Sequence, residues 1–197
     1  MKATLIPLML AASLLGAAPP GTPAGRLAAP VVSFATNDLT IMVPKGNPAH
    51  IAALGDLGRP HIAVIMPNPA FEGVAAQIRA SLVKAGGEAL ASAVYTMKVA
   101  GGSTVLTRIL HRQTPLFLMQ ELGQAGVTWT SEPLFQERQG HPITHVAIPP
   151  EQNTRAVYSA AIVTGAPHKA AAAWLTFIRS DAAFATLEPF GFQHVVP

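Results

Sequence analysis

Two short apolar runs, each closed by a proline, constrain this chain more than any other feature. Leu39-Thr40-Ile41-Met42-Val43 stops at Pro44, and His61-Ile62-Ala63-Val64-Ile65-Met66 stops at Pro67. Neither run alternates apolar with polar, which is the pattern of a strand covered on both faces. After them lie helical patterns. Gly73 to Ala85 places Val74, Ile78 and Leu82 at helical spacing, with Gly86-Gly87 as a stop. Thr114-Pro115 reads as an N-cap followed by the first helical residue, opening a helix to about Leu122. Val94 to Val99 reads as a short strand, and Ser103 or Thr104 as the cap of a helix through Leu110. Ala125 to Trp129, His145 to Ile148 and Ala156 to Val163 read as further strands. Ala170 to Arg179 puts Trp174 and Phe177 on one helix face, expected to be core, and Ser180-Asp181 starts a last short helix. Strands alternating with helices predict an α/β fold, a mostly parallel sheet with helices on both faces.

The N-terminus follows a different logic. Met1-Lys2-Ala3-Thr4 precedes an apolar run from Leu5 to Gly16, shorter than the roughly 20 residues that span a bilayer. Followed by the Pro- and Gly-rich segment Ala17 to Gly25, it reads as a secretory signal with a flexible stretch over residues 1–25. The expected product is periplasmic and does not span the membrane once the signal is removed. The chain has no cysteine, which suits an oxidising compartment and excludes thiol catalysis and Cys-based metal centres.

Charged residues make up only 12% of the chain and the net charge is +3, with 13 Lys and Arg scattered along it. No basic stripe for nucleic acid results. An enzyme is not expected, because the chain lacks a Gly-x-Ser-x-Gly elbow, a Walker loop, a Gly-x-Gly-x-x-Gly fingerprint and a His-Glu-x-x-His zinc motif. His141 and His145 are four apart, but Pro142 between them forbids the helix that would put both on one metal. No metal and no cofactor are expected.

The loops that follow strands are the candidate sites, because an α/β sheet holds ligands beyond the carboxyl ends of its strands. A helix start there offers unpaired N–H groups and a partial positive charge to an oxyanion. The first loop, Met66 to Gly73, supplies Asn68, Glu72 and Gly73; the second supplies His111, Arg112, Gln113 and Thr114. Trp129, at a strand end, is a candidate wall. For the second loop, ordinary capping with a solvated Arg112 is the alternative reading.

Asn37-Asp38-Leu39-Thr40-Ile41-Met42-Val43-Pro44-Lys45, the Met66–Gly73 loop, Ala125 to Ser131, the strand from Tyr158 to Val163, Trp174-Leu175 and Phe190-Gly191-Phe192 together resemble the type II periplasmic solute-binding proteins of the molybdate and sulfate kind, over about residues 33–197. The resemblance implies two α/β lobes joined by crossing strands, a ligand clamped between them and delivery to an ABC permease. It assigns residues 33–58 and 156–197 to a remnant of the first lobe with the crossing strands, and residues 59–155 to the second lobe. The first lobe's opening strand and helix units have no counterpart here. The implied ligand is a small oxyanion of the molybdate or sulfate type. A small organic carboxylate held by Arg112, or an accessory protein that no longer transports, are the alternatives.

Overall fold

The computed structural model describes residues 31–163 and 168–195; the signal reading for residues 1–25 lies outside them. The described residues divide into two units, one built from residues 37–155 and 188–192, the other from residues 31–36, 156–163, 168–187 and 193–195.

The larger unit holds a five-stranded sheet of strands β2 (Leu39–Pro44), β3 (Val64–Met66), β4 (Thr104–Leu106), β5 (Ala125–Trp129) and β6 (Ile143–Ala147), in the order β4-β3-β5-β2-β6. β3 runs parallel to β4 and to β5, while β2 is antiparallel to both β5 and β6, so four of the five strands point the same way. β2 is an inner strand. Its Leu39, Ile41 and Val43 enter one core cluster, and Met42 enters a second on the other face, which accounts for an apolar run without alternation. The sequence reading set residues 33–58 apart from 59–155; β2 instead fills the gap between β5 and β6.

The larger cluster lies under α1 (Val74–Ser92), with Val74, Ile78 and Leu82 buried against Val64, Met66 and Val127. Gly86 and Gly87 do break this helix, Gly87 with φ +68, but it resumes at once. The exposed pair Arg79–Glu88 spans the break. Beyond it Ala91, Val94 and Lys98 recur at three- and four-residue spacing and are buried, whereas Met97 is exposed. That periodicity corrects the expected strand at 94–99, which is a π-helical turn (Ala93–Met97) followed by α2 (Lys98–Ala100). The expected helix from Ser103 or Thr104 is also corrected. Thr104–Leu106 is β4, and the ladder extends through Val64 N to Ser103 O (2.9 Å) and Thr107 N to Met66 O (3.0 Å). A three-residue strand carries too little pattern to be distinguished from a helix start.

On the opposite face, α3 (Gln113–Met119) buries Leu118 against Met42, Ile65 and Ile143. After β5, α4 (Ser131–Arg138) carries Arg138 over the Phe190 ring, 4.5 Å from its centroid.

The smaller unit pairs β1 (Val32–Asn37) with β7 (Ala156–Ala160) and carries α5 (His168–Phe177) and α6 (Asp181–Leu187). Ser180 Oγ accepts from Ala183 N (3.3 Å), so the last helix starts as its sequence predicts. Trp174 and Phe177, expected in the core, are 47% and 48% exposed and touch each other in a tilted arrangement, ring centroids 5.6 Å apart. A two-stranded sheet is too narrow to cover both α5 and α6.

Candidate functional site

Because β3, β4 and β5 run in parallel, the loops that leave them emerge at one end of the sheet, and these are the loops singled out from the sequence. Pro67 ends β3, and the chain turns through Asn68, whose Oδ1 accepts from Ala70 N (3.0 Å) and whose carbonyl accepts from Glu72 N (2.9 Å).

Glu72 is the most buried of the candidates. Its side chain is 2% exposed, and its Oε1 accepts from Asn68 N (3.0 Å) and from the Thr107 hydroxyl. Thr107 is itself fully buried and also accepts from Asn68 N (3.2 Å). Glu72 thus ties the loop after β3 to the loop after β4. Its other oxygen, Oε2, has no hydrogen bond but lies 3.4 Å from His111 Nδ1, an ion-pair distance. The buried Tyr95 hydroxyl has no partner among the described residues, and burial first, then the Glu72 charge, push the phenol well above its usual range.

The second loop distributes its side chains in different directions. Gln113 turns back on its own loop, Oε1 accepting from Arg108 N and Ile109 N, both at 2.7 Å. That amide closes the turn, so α3 begins before Thr114 rather than at it. Thr114 is fully buried within the first helical turn, with its hydroxyl unpartnered and its methyl group against Gly126. Arg112 occupies the position before the helix, is exposed, and has no acceptor among the described residues. Gly73 has ordinary helical dihedrals, φ −58 and ψ −30, and a Cβ there would meet nothing within 4 Å. The backbone therefore makes no demand for glycine at this position. Trp129 leans on the larger cluster, under α1, whereas Thr114 lies on the α3 face.

The structure therefore joins Asn68, Glu72 and His111 through hydrogen bonds and an ion-pair contact, sets Arg112 beside them in sequence with no acceptor among the described residues, ties Gln113 back to its own loop, and packs Thr114 and Trp129 into the interior. Thr107 and Tyr95 were not found from the sequence. A threonine one residue past a three-residue strand carries no motif, and Tyr95 lies in the segment read as a strand. Among the described residues no cluster of three metal-ligating side chains occurs, and no helix is long and apolar enough to cross a membrane.

Comparisons with known proteins agree with this architecture. No curated protein matches the chain significantly. Among solved structures, the sulfate-binding protein SubI from Mycobacterium tuberculosis is 26% identical with a TM-score of 0.69, covering 88% of this chain and 64% of that one. Peb3 from Campylobacter jejuni is 15% identical, TM-score 0.67, covering 87% and 72%. The periplasmic molybdate-binding protein of Azotobacter vinelandii is 16% identical, TM-score 0.65, covering 87% and 70%. The fold is the mixed α/β fold of periplasmic binding proteins. The family model described as bacterial extracellular solute-binding protein matches residues 11–193, and the chain belongs to that family.

Proposed function

We propose that the protein binds a small oxyanion of the sulfate or molybdate type at the carboxyl ends of β3, β4 and β5 and delivers it to an ABC permease from the periplasm. One observation carries this reading: Arg112, at the head of the loop group, is exposed and has no protein acceptor among the described residues. A guanidinium so placed keeps its full set of donors for an anion. Glu72 is compatible with an anion nearby, because Thr107 and the Asn68 amide hold one carboxylate oxygen and His111 faces the other. SubI, a sulfate-binding protein, and the Azotobacter molybdate-binding protein share the fold. A small organic anion is the second reading, favoured by the planar fork of Arg112, which suits a carboxylate bidentately. PEB3, with the same fold, has been crystallised bound to L-phospholactate.

The test is a thermal-shift screen of sulfate, molybdate, tungstate and phosphate against small carboxylates. A raised melting temperature with the oxyanions, lost in Arg112→Ala, is the expected result. A shift only with carboxylates selects the second reading. A protein that melts at the same temperature with every anion refutes both. One charge-assisted hydrogen bond contributes about 1.5–3 kcal/mol, so Arg112→Ala weakens binding roughly 10- to 100-fold.

A further inference from the structure

At the other end of the parallel strands, where β3 and β5 begin, the larger unit has an open cavity of about 500 Å³ whose lining includes Pro48, His50, Arg59, His61 and Gln124. Its polar residues include a guanidinium, an amide and two imidazoles, all able to donate hydrogen bonds. Arg59 is fixed in place by Nε to Asp56 O (3.3 Å) and by Nη2 to Ala49 O (3.2 Å) and His50 O (3.3 Å), which leaves Nη1 without a protein acceptor among the described residues. The imidazoles of His50 and His61 have no partner there either. Gln124 spends its oxygen on Ala63 N (2.5 Å), and its amide NH₂ keeps both donors. The carboxylate nearest Arg59 is Asp56, whose Oδ2 accepts from Ala52 N and Ala53 N and whose Oδ1 lies 3.6 Å from Arg59 Nε as an ion pair.

The walls of this cavity are held rigidly. The ammonium of Lys98, itself buried, donates to the carbonyls of Leu57, Arg59 and Ile62, pinning the backbone on both sides of Arg59 and His61. Asn47 brackets Ile51 through both its N–H and its carbonyl (3.0 and 2.8 Å). Within that bracket His50 sits at φ +50, a left-handed position where glycine carries no strain.

We infer that this cavity is a second anion site, distinct from the loops around Arg112, and that it takes the phosphate group of a small phosphate monoester. Arg59 Nη1, the Gln124 amide and an N–H of each imidazole line this one cavity and can donate to an oxyanion with several acceptors. The volume lies in the range of small-molecule pockets and leaves room for an organic group beside the phosphate.

The experiment is an NMR titration of the full-length protein with glycerol 2-phosphate, using glycerol in matched sodium chloride as control. Expected are saturable shifts of the His50 and His61 rings and the Gln124 amide. In His50→Gly, which relieves the left-handed strain and so melts no lower than the parent, the affinity falls by roughly tenfold, the effect of one charge-assisted hydrogen bond. In Arg112→Ala the response at His50 persists, which separates this site from the proposed solute site. Shifts that do not saturate, shifts that glycerol in salt reproduces, or an unchanged affinity in both His50→Gly and His61→Gln overturn the inference.

Discussion

Gly126→Ala tests whether the sheet and the Arg112 loop are coupled as tightly as the structure implies. A Cβ built on Gly126 falls 2.5 Å from Thr114 Cγ2 and 2.8 Å from the carbonyl oxygen of Ile65. Carbon atoms in contact sit at about 3.5–4.0 Å, so Thr114 must retreat by roughly 1 Å. The Ile65 oxygen cannot yield in the same way, because Ile65 and Gly126 are partners in the parallel ladder between β3 and β5. Overpacking of this kind costs about 1–3 kcal/mol, and the double clash puts Gly126→Ala near the upper end. Urea unfolding measures the loss as a lower midpoint at unchanged slope. Adding Thr114→Ser removes the methyl group and with it the closer clash, so the double variant recovers roughly 1 kcal/mol relative to Gly126→Ala alone, a coupling expected of side chains in contact. The Ile65 clash remains. A Gly126→Ala protein within about 0.5 kcal/mol of the parent, or a double variant with no recovery, refutes the packing of α3 on β5 described here.

Asn153 acts as an extra peptide unit at the start of β2, accepting from Leu39 N (3.0 Å) and donating to Leu39 O (2.8 Å), so Asn153→Ala lowers the unfolding free energy by about 1–3 kcal/mol in urea titrations. Asp56 is held below its usual carboxylate range, first by the Ala52 N–H and then, against the opposing effect of burial, by the Ala53 N–H and Arg59. Its folded pKa is the lower one, so its contribution is present above its unfolded value and vanishes as the pH falls through the folded value; stability measured below about pH 4 therefore drops more in the parent than in Asp56→Asn. A fragment of residues 59–155 lacks β2 and the core side chains Leu39, Ile41, Met42, Val43, Ile51, Leu54 and Leu57, and its urea transition is expected to be non-cooperative, whereas restoring residues 37–58 returns a cooperative one.

Where the sequence was legible, a single periodicity dominated. Val64–Met66 is uniformly apolar, Leu39–Val43 is apolar apart from the buried Thr40, and Ala125 to Trp129 buries Thr128 along with Ala125 and Val127, because both faces of the sheet are covered. The misreadings fall where two signals compete. Val94 to Val99 is rich enough in apolar and β-branched residues to suggest a strand, yet its buried positions follow the helical spacing set by Ala91, Val94 and Lys98. At Thr114 the Thr-Pro pair matched a helix start, but a side chain five residues downstream of Arg108, Gln113, closes the turn and moves the start forward. Trp174 and Phe177 lie on an apolar helix face, and periodicity cannot tell whether a partner surface is present to bury it. For the candidate site, helix starts and strand ends were visible as chain positions. The buried Glu72–Thr107 tie was not, since it joins side chains 35 residues apart.

Residue-resolved NMR titration with sulfate and molybdate tests most directly whether the loops after β3, β4 and β5 bind a solute anion. Saturable shifts are expected at the Arg112 guanidinium and at backbone amides of residues 68–73 and 107–114, the backbone shifts being lost in Arg112→Ala. Saturable binding whose shifts fall elsewhere in the chain, or no binding of either anion, contradicts it.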